Sequence, residues 1–316
     1  MPFLIESDYS PVYELYISLQ AFIETRRHAL LDLGKEWAVK VRHGLQKEFL
    51  TKLGHIKADL LPQIIIPSLV WKTPSPYRED VSKYLDWLSS LSAHDAFNLL
   101  QAAASPELLS KCSDIQKARD QAVEVLNHWY EQYYRAVEPE LAPKLVEMAE
   151  LQKTAAKEAN PEDFIERLTF GLRMQPISAT RTVVLVPQYH YSPWNVYNLL
   201  RDALIIYYPA NIDTPEPGKP SLALLRLTRA LSDENRLRIL RFLSDGPRSF
   251  SEVARFSGLA KSTVHHHLVA LRASGLVRIL VADGNPGNPD GFTLRPDVAE
   301  YVTRQLNDYL YERMSK

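Results

Sequence analysis

Between residues 222 and 294 the hydrophobic pattern changes period once, from helical to extended, and no other feature constrains the fold as strongly. Four short segments in a row carry apolar residues at helical spacing, each punctuated by a cap or a stop. Residues 222–231 form the first. Ser232 and Asp233 can cap the second, 234–243, in which Leu237, Leu240 and Phe242 or Leu243 should face inward, and Gly246 and Pro247 stop it. Ser249 and Glu252 have the spacing of a capping box that opens a short helix over 250–257, and Gly258 closes it. The fourth, 261–273, places Val264, Leu268 and Leu271 inside and leaves Lys261, Ser262, His265 and Val269 largely outside. After Gly275 the pattern becomes that of a strand over 276–281, a loop over 283–290 and a return strand over 292–294, which together make a wing. Pro296 and Asp297 start a last helix. Its Val298, Tyr301, Val302, Leu306, Tyr309 and Leu310 form an apolar stripe longer than so small a domain needs, and part of it is assigned to a homodimer interface.

A short helix, a turn containing glycine and a second helix with polar N-terminal positions make the helix-turn-helix arrangement, whose second helix enters the major groove of double-stranded DNA. Lys261 can donate to guanine acceptors or phosphate, Ser262 and Thr263 to bases or backbone, and His265 and His266 to phosphates or base edges. Arg248, Arg272 and Arg278 complete the expected DNA-binding set. Charge agrees: residues 221–282 hold ten Lys and Arg against four Asp and Glu, a net of +6 in a chain whose total is −1. His265 to His267 do not make a metal site, because consecutive helical residues diverge by about 100°. His267 points toward the buried stripe and is read as a hydrogen-bonded structural residue.

The region ahead, 1–212, reads as a helical putative sensor or interaction domain with a small β-sheet, so the fold class is mainly α with a C-terminal α+β winged module. A strand over 3–5 precedes Ser10 and Pro11, an N-cap and first helical residue. Helices are expected over 81–91, 93–104, 114–136 and 140–158, and another opens at Asn160. Residues 181–186 and 204–208 are β-branched, apolar and short, and should pair in the sheet. Residues 213–220, rich in Pro with Gly218, form the linker to a winged domain over 221–316. Trp129, Tyr130, Tyr133, Tyr189 and Trp194 are the candidates for lining a small-molecule effector pocket. The rival reading is core packing, since Trp129 and Tyr133 share a periodic helical face with Ile115, Ala118, Ala122 and Leu126.

Cys112 is the single cysteine, which excludes an intrachain disulfide and suits a reducing, cytoplasmic setting. The N-terminus lacks the regions of a signal peptide. The most apolar stretch, 60–71, is interrupted by Pro62, Gln63 and Pro67, so no membrane association is expected. No GxGxxG, Walker A, GxSxG or HExxH pattern occurs, and the expectation is no cofactor, no metal and no catalytic centre. The alternative makes the N-terminal domain an enzyme or a protein-recruitment module, with the DNA-binding part secondary.

Residues 224–279 closely resemble the ArsR family of winged-helix repressors. The resemblance is carried by Ala230-Leu231-Ser232-Asp233 with Arg236-Leu237-Arg238-Ile239-Leu240, by Ser262-Thr263-Val264 with His266-His267-Leu268, and by Leu271-Arg272-Ala273-Ser274-Gly275-Leu276-Val277. The N-terminal region is similar to an uncharacterised helical domain found ahead of such modules, chiefly through Ser10-Pro11-Val12-Tyr13-Glu14-Leu15 and the strand near Val183. The resemblance implies a dimeric repressor whose N-terminal domain adjusts two recognition helices when a signal arrives. Two departures qualify it. The paired cysteines or His and carboxylate ligands of metal-sensing members are missing, and the wing tip, 283–290, has no Lys or Arg.

Overall fold

The computed structural model describes residues 4–56, 70–104, 114–174, 182–210, 212, 218–281 and 289–311. In chain order these form β1 (Leu4–Ser7), α1 (Pro11–Ile23), a 3₁₀ turn (Thr25–Leu30), α2 (Gly34–Gly44), α3 (Lys47–Ile56), a second 3₁₀ turn (Tyr77–Glu79), α4 (Val81–Ser90), α5 (Ala93–Ala103) and α6 (Ile115–Trp129). A π-helical turn (Tyr130–Tyr134) leads into α7 (Arg135–Ala156), then α8 (Pro161–Leu168), β2 (Leu172–Met174), β3 (Thr182–Gln188), β4 (Val196–Leu199) and β5 (Ala203–Pro209). The remainder is α9 (Leu222–Leu231), α10 (Glu234–Leu243), α11 (Phe250–Ser257), α12 (Lys261–Ala273), β6 (Val277–Val281), β7 (Gly291–Leu294) and α13 (Val298–Tyr311).

The chain divides into two compact units. One comprises residues 2–158 and 178–211, and the other 159–177 with 212–316. A single boundary at 213–220 therefore does not describe the whole division: the stretch that opens at Asn160 leaves the N-terminal unit and belongs to the winged one.

The N-terminal unit is built on a four-stranded sheet of order β1-β3-β5-β4, in which β1, β3 and β5 are parallel and β4 runs antiparallel to β5. The expected pairing of the two apolar runs is present, with Val183 opposite Leu204 and Val186 opposite Tyr207. All of β5 and six of the seven residues of β3 are buried, which is why these runs are continuously apolar rather than alternating. Helix α1 is buried on every side, and its polar atoms are consequently partnered within the fold. Ser18 accepts from Trp129 Nε1 at 2.9 Å and donates to the Leu15 carbonyl, and Tyr13 donates to Asp8 at 2.9 Å. Helices α4 and α6 pack against α1, and α7 packs on β1 and β3.

A break was expected between 136 and 140, yet the helix continues through Pro139 and Pro143. Neither proline can donate an amide, and the π-helical turn immediately upstream loosens the backbone where that bond is lost.

In the winged unit, α9 to α12 enclose Leu224, Leu227, Ile239, Leu243, Val253, Val264, Leu268 and Leu271. Leu237, expected inside, is 48% exposed, and Ile239 takes its place in the core. The wing strands β6 and β7 are antiparallel, and β2 joins them as a third strand parallel to β6, with Leu172 opposite Ile279 and Met174 opposite Val281. Gly171 makes this approach feasible. Its carbonyl accepts from Ile279 N at 2.8 Å, its φ is +115°, and a Cβ there would lie 2.8 Å from the Val277 carbonyl oxygen.

Candidate functional site

Three of the four helices around the helix-turn-helix are capped by their own side chains. Ser221 accepts from Leu224 N, Asp233 from Arg236 N, and Ser249 from Glu252 N in a complete capping box. The fourth, α12, is not: Ala260 supplies no side-chain acceptor, so the first-turn amides at residues 261–263 remain open to an anion. Gly258, at φ +68°, ends α11 in the left-handed conformation and turns the chain into α12.

Lys261, Ser262, His265 and His266 are exposed along the N-terminal half of α12, and Thr263 is half-buried. Lys261 forms no ion pair with any described residue. The His265 and His266 rings lie 6.0 Å apart at 76° and diverge, as their adjacency requires. His267 is turned inward, and its Nδ1 stands 3.8 Å from Asp233. The Arg236 amide, and to a smaller degree the Arg236 and His267 charges, hold the Asp233 carboxyl below the usual aspartate range.

The three arginines of the expected set are placed differently. Arg248 is half-buried where its backbone pairs with Phe292 at the base of the wing, and its guanidinium lies 4.7 Å from the Phe242 ring centroid. Phe242 in turn stacks on Phe256 at 4.1 Å. Arg272 is half-buried in the last turn of α12, at the opposite end from Lys261. Arg278 donates through Nε to the buried Glu166 of α8, so its charge is already engaged. Arg255, not among the expected contacts, is exposed in the last turn of α11. The wing-tip residues 283–288 lie outside the described residues.

The aromatic candidates of the N-terminal unit are partly brought together. Trp129 is wholly buried and tied to Ser18, and Trp194 is buried with its Nε1 on the Leu30 carbonyl at 3.0 Å, so both are core residues. Tyr130, Tyr133 and Tyr189 are half-buried. Tyr133 and Tyr189 flank His190, with ring centroids 5.7 Å and 5.4 Å from it.

His190, Glu14 and Trp37 had no signal as members of this cluster, because they lie on separate elements. Trp37 Nε1 donates to the Tyr133 oxygen at 2.8 Å, Tyr133 lies 2.7 Å from His190 Nε2, and His190 Nδ1 lies 2.6 Å from Glu14. The amides of Tyr189 and His190 also donate to Glu14, which fixes it as the acceptor end and assigns the hydrogens along the chain. Burial pushes the Tyr133 hydroxyl well above its ordinary value. A separate open hollow of about 390 Å³ lies between α3 and α6, but Lys52 and Glu124 at its rim already pair with each other. No group of three or more His, Cys, Asp or Glu side chains among the described residues could hold a metal ion, and no helix among them is long and apolar enough to cross a membrane.

Residues 231–279 match the helix-turn-helix domain family. Over 55 residues the chain is 49% identical to the HTH-type transcriptional regulator CmtR of Mycobacterium bovis and to its counterparts in two strains of Mycobacterium tuberculosis, a stretch that covers 17% of this chain and 47% of each relative. The chain thus spans about half the length of the curated relatives it matches. No solved structure matches it.

Proposed function

We propose that this protein is a DNA-binding transcription regulator, a repressor that acts in the cytoplasm as a homodimer and whose N-terminal unit senses a small molecule or a partner. The observation that carries the reading is the exposed edge of α12, where an unpaired Lys261, Ser262 and two histidines flank uncapped amides on a helix seated in a helix-turn-helix domain. Amides and cations there suit phosphate, and the polar side chains suit base edges. The dimer is supported by α13. Tyr301 is buried, whereas Leu306, Tyr309, Leu310 and Tyr311 are 36 to 77% exposed, with Leu222 of the neighbouring α9 also exposed. An apolar face of this kind is explained by a second copy, which would set two recognition helices roughly 34 Å apart.

Fluorescence anisotropy with the DNA upstream of the protein's own gene tests this reading. Binding should weaken steeply with salt, and Lys261→Ala with His265→Ala should weaken it further without changing the melting temperature. A folded dimer that binds no DNA at low salt, or that binds equally after both substitutions, would overturn it. Leu306→Glu with Leu310→Glu should give a monomer on size-exclusion chromatography and abolish tight binding.

A further inference from the structure

At the carboxyl ends of parallel strands β1 and β3, the usual ligand position in open α/β sheets, the N-terminal unit gathers carboxylates and aromatic rings. Glu14 is wholly buried, and its contacts are two backbone amides and the His190 ring, with no Lys or Arg among them. Glu138, half-buried in α7, is held above its ordinary value by burial and by the charge of Asp80, despite a hydrogen bond from Tyr130. Both carboxylates act on the hydroxyls of Tyr9 and Tyr134. Tyr134 has no exposed surface, and its hydroxyl meets no partner at full hydrogen-bond geometry; it lies beside the Tyr9 hydroxyl, which is in the same condition.

The π-helical turn supplies three of the rings here, Tyr130, Tyr133 and Tyr134. Such turns cost backbone energy and occur mostly at functional positions. Carboxylates that burial leaves undercompensated, next to electron-rich ring faces, favour a positive guest by direct charge and by cation–π attraction. An anion would be repelled by Glu14 and Glu138, and a neutral guest would leave both uncompensated.

We propose that this corner, bounded by Tyr9, Glu14, Tyr133, Tyr134, Glu138 and Tyr189, binds a small organic cation, an amine or quaternary ammonium that carries an apolar group. The proposal rests on the sensing role given above to the N-terminal unit and names the class of effector.

Thermal melting of the full chain in benzyltrimethylammonium chloride, against equal concentrations of sodium benzoate, benzyl alcohol and sodium chloride, tests it. The cation should raise the melting temperature by about 3 °C at ten times its dissociation constant, and the other three should not. Glu138→Gln keeps the size and the Tyr130 contact and should weaken calorimetric binding of the cation at least about fivefold, with Tyr189→Leu as an independent second variant. Equal stabilisation by benzoate or benzyl alcohol, no stabilisation by the cation, or unchanged affinity in both folded variants would each overturn the site. DNA binding measured on the same samples separates the two readings. Operator binding without a cation response overturns only the cation site, and a cation response without operator binding overturns only the regulator.

Discussion

Arg278 and Lys261 are both basic residues of the winged unit, and the structure gives them opposite circumstances. Lys261 is exposed and free of ion pairs among the described residues, whereas Arg278 is held by Glu166, which also meets Arg173 at 3.4 Å. Lys261→Ala should therefore reduce the salt slope of DNA binding by about one, and Arg278→Ala should leave that slope nearly unchanged while lowering stability. Glu166→Ala should be the more damaging change, at about 2–3 kcal/mol in urea unfolding, because it leaves two arginines facing an apolar wall. Glycines sort in the same way. Gly171→Ala should cost well over 1 kcal/mol, since its Cβ would meet the Val277 carbonyl at 2.8 Å, while Gly258→Ala, with open space around it, should cost about 1 kcal/mol for the left-handed backbone alone. Lys261 was legible in the sequence because its exposure follows from helical phase. The engagement of Arg278 was not, because Glu166 is 112 residues away.

Local signals placed most elements of the winged unit, and the caps show why. A cap needs only residues within three positions of one another, so Ser249 with Glu252 and Asp233 with Arg236 could be read directly and are present. Ser249→Ala should lower the stability of this unit by about 1 kcal/mol. Asp233 adds a pH dependence. Its folded value is depressed, so its contribution is fully present above the ordinary aspartate range and is lost as pH falls through the lower folded value. Thermal melts of the wild type and Asp233→Asn should accordingly converge in acid and separate toward neutrality. Strands β2 and β4 escaped because three or four residues carry too little periodicity, and Leu172-Arg173-Met174 becomes a strand only where β6 is there to pair with it. The helix through Pro139 escaped because the compensating π-helical turn has no sequence signature.

Across the molecule, the chain passes between its two units three times, near residues 158, 177 and 211. Two of those passages are the means by which α8 and β2, encoded ahead of most of the N-terminal sheet, complete the wing. A fragment beginning at residue 212 would lack Leu172, Met174 and Glu166. It should melt below the winged unit of the full chain, as followed by circular dichroism, with the Ile279 amide and the Arg278 charge left without their partners. What the sequence determined alone was whatever depends on near neighbours: helical phase, caps, the turn at Gly258, the apolar runs of β3 and β5, and therefore the exposed edge of α12. Only the tertiary structure decided which distant groups meet, namely Glu166 with Arg278, Glu14 with His190 and Tyr133, and β2 with β6. Burial makes such partnerships necessary, since a charge or amide removed from water must find its counterpart wherever the fold brings one, and no local spacing records where that is.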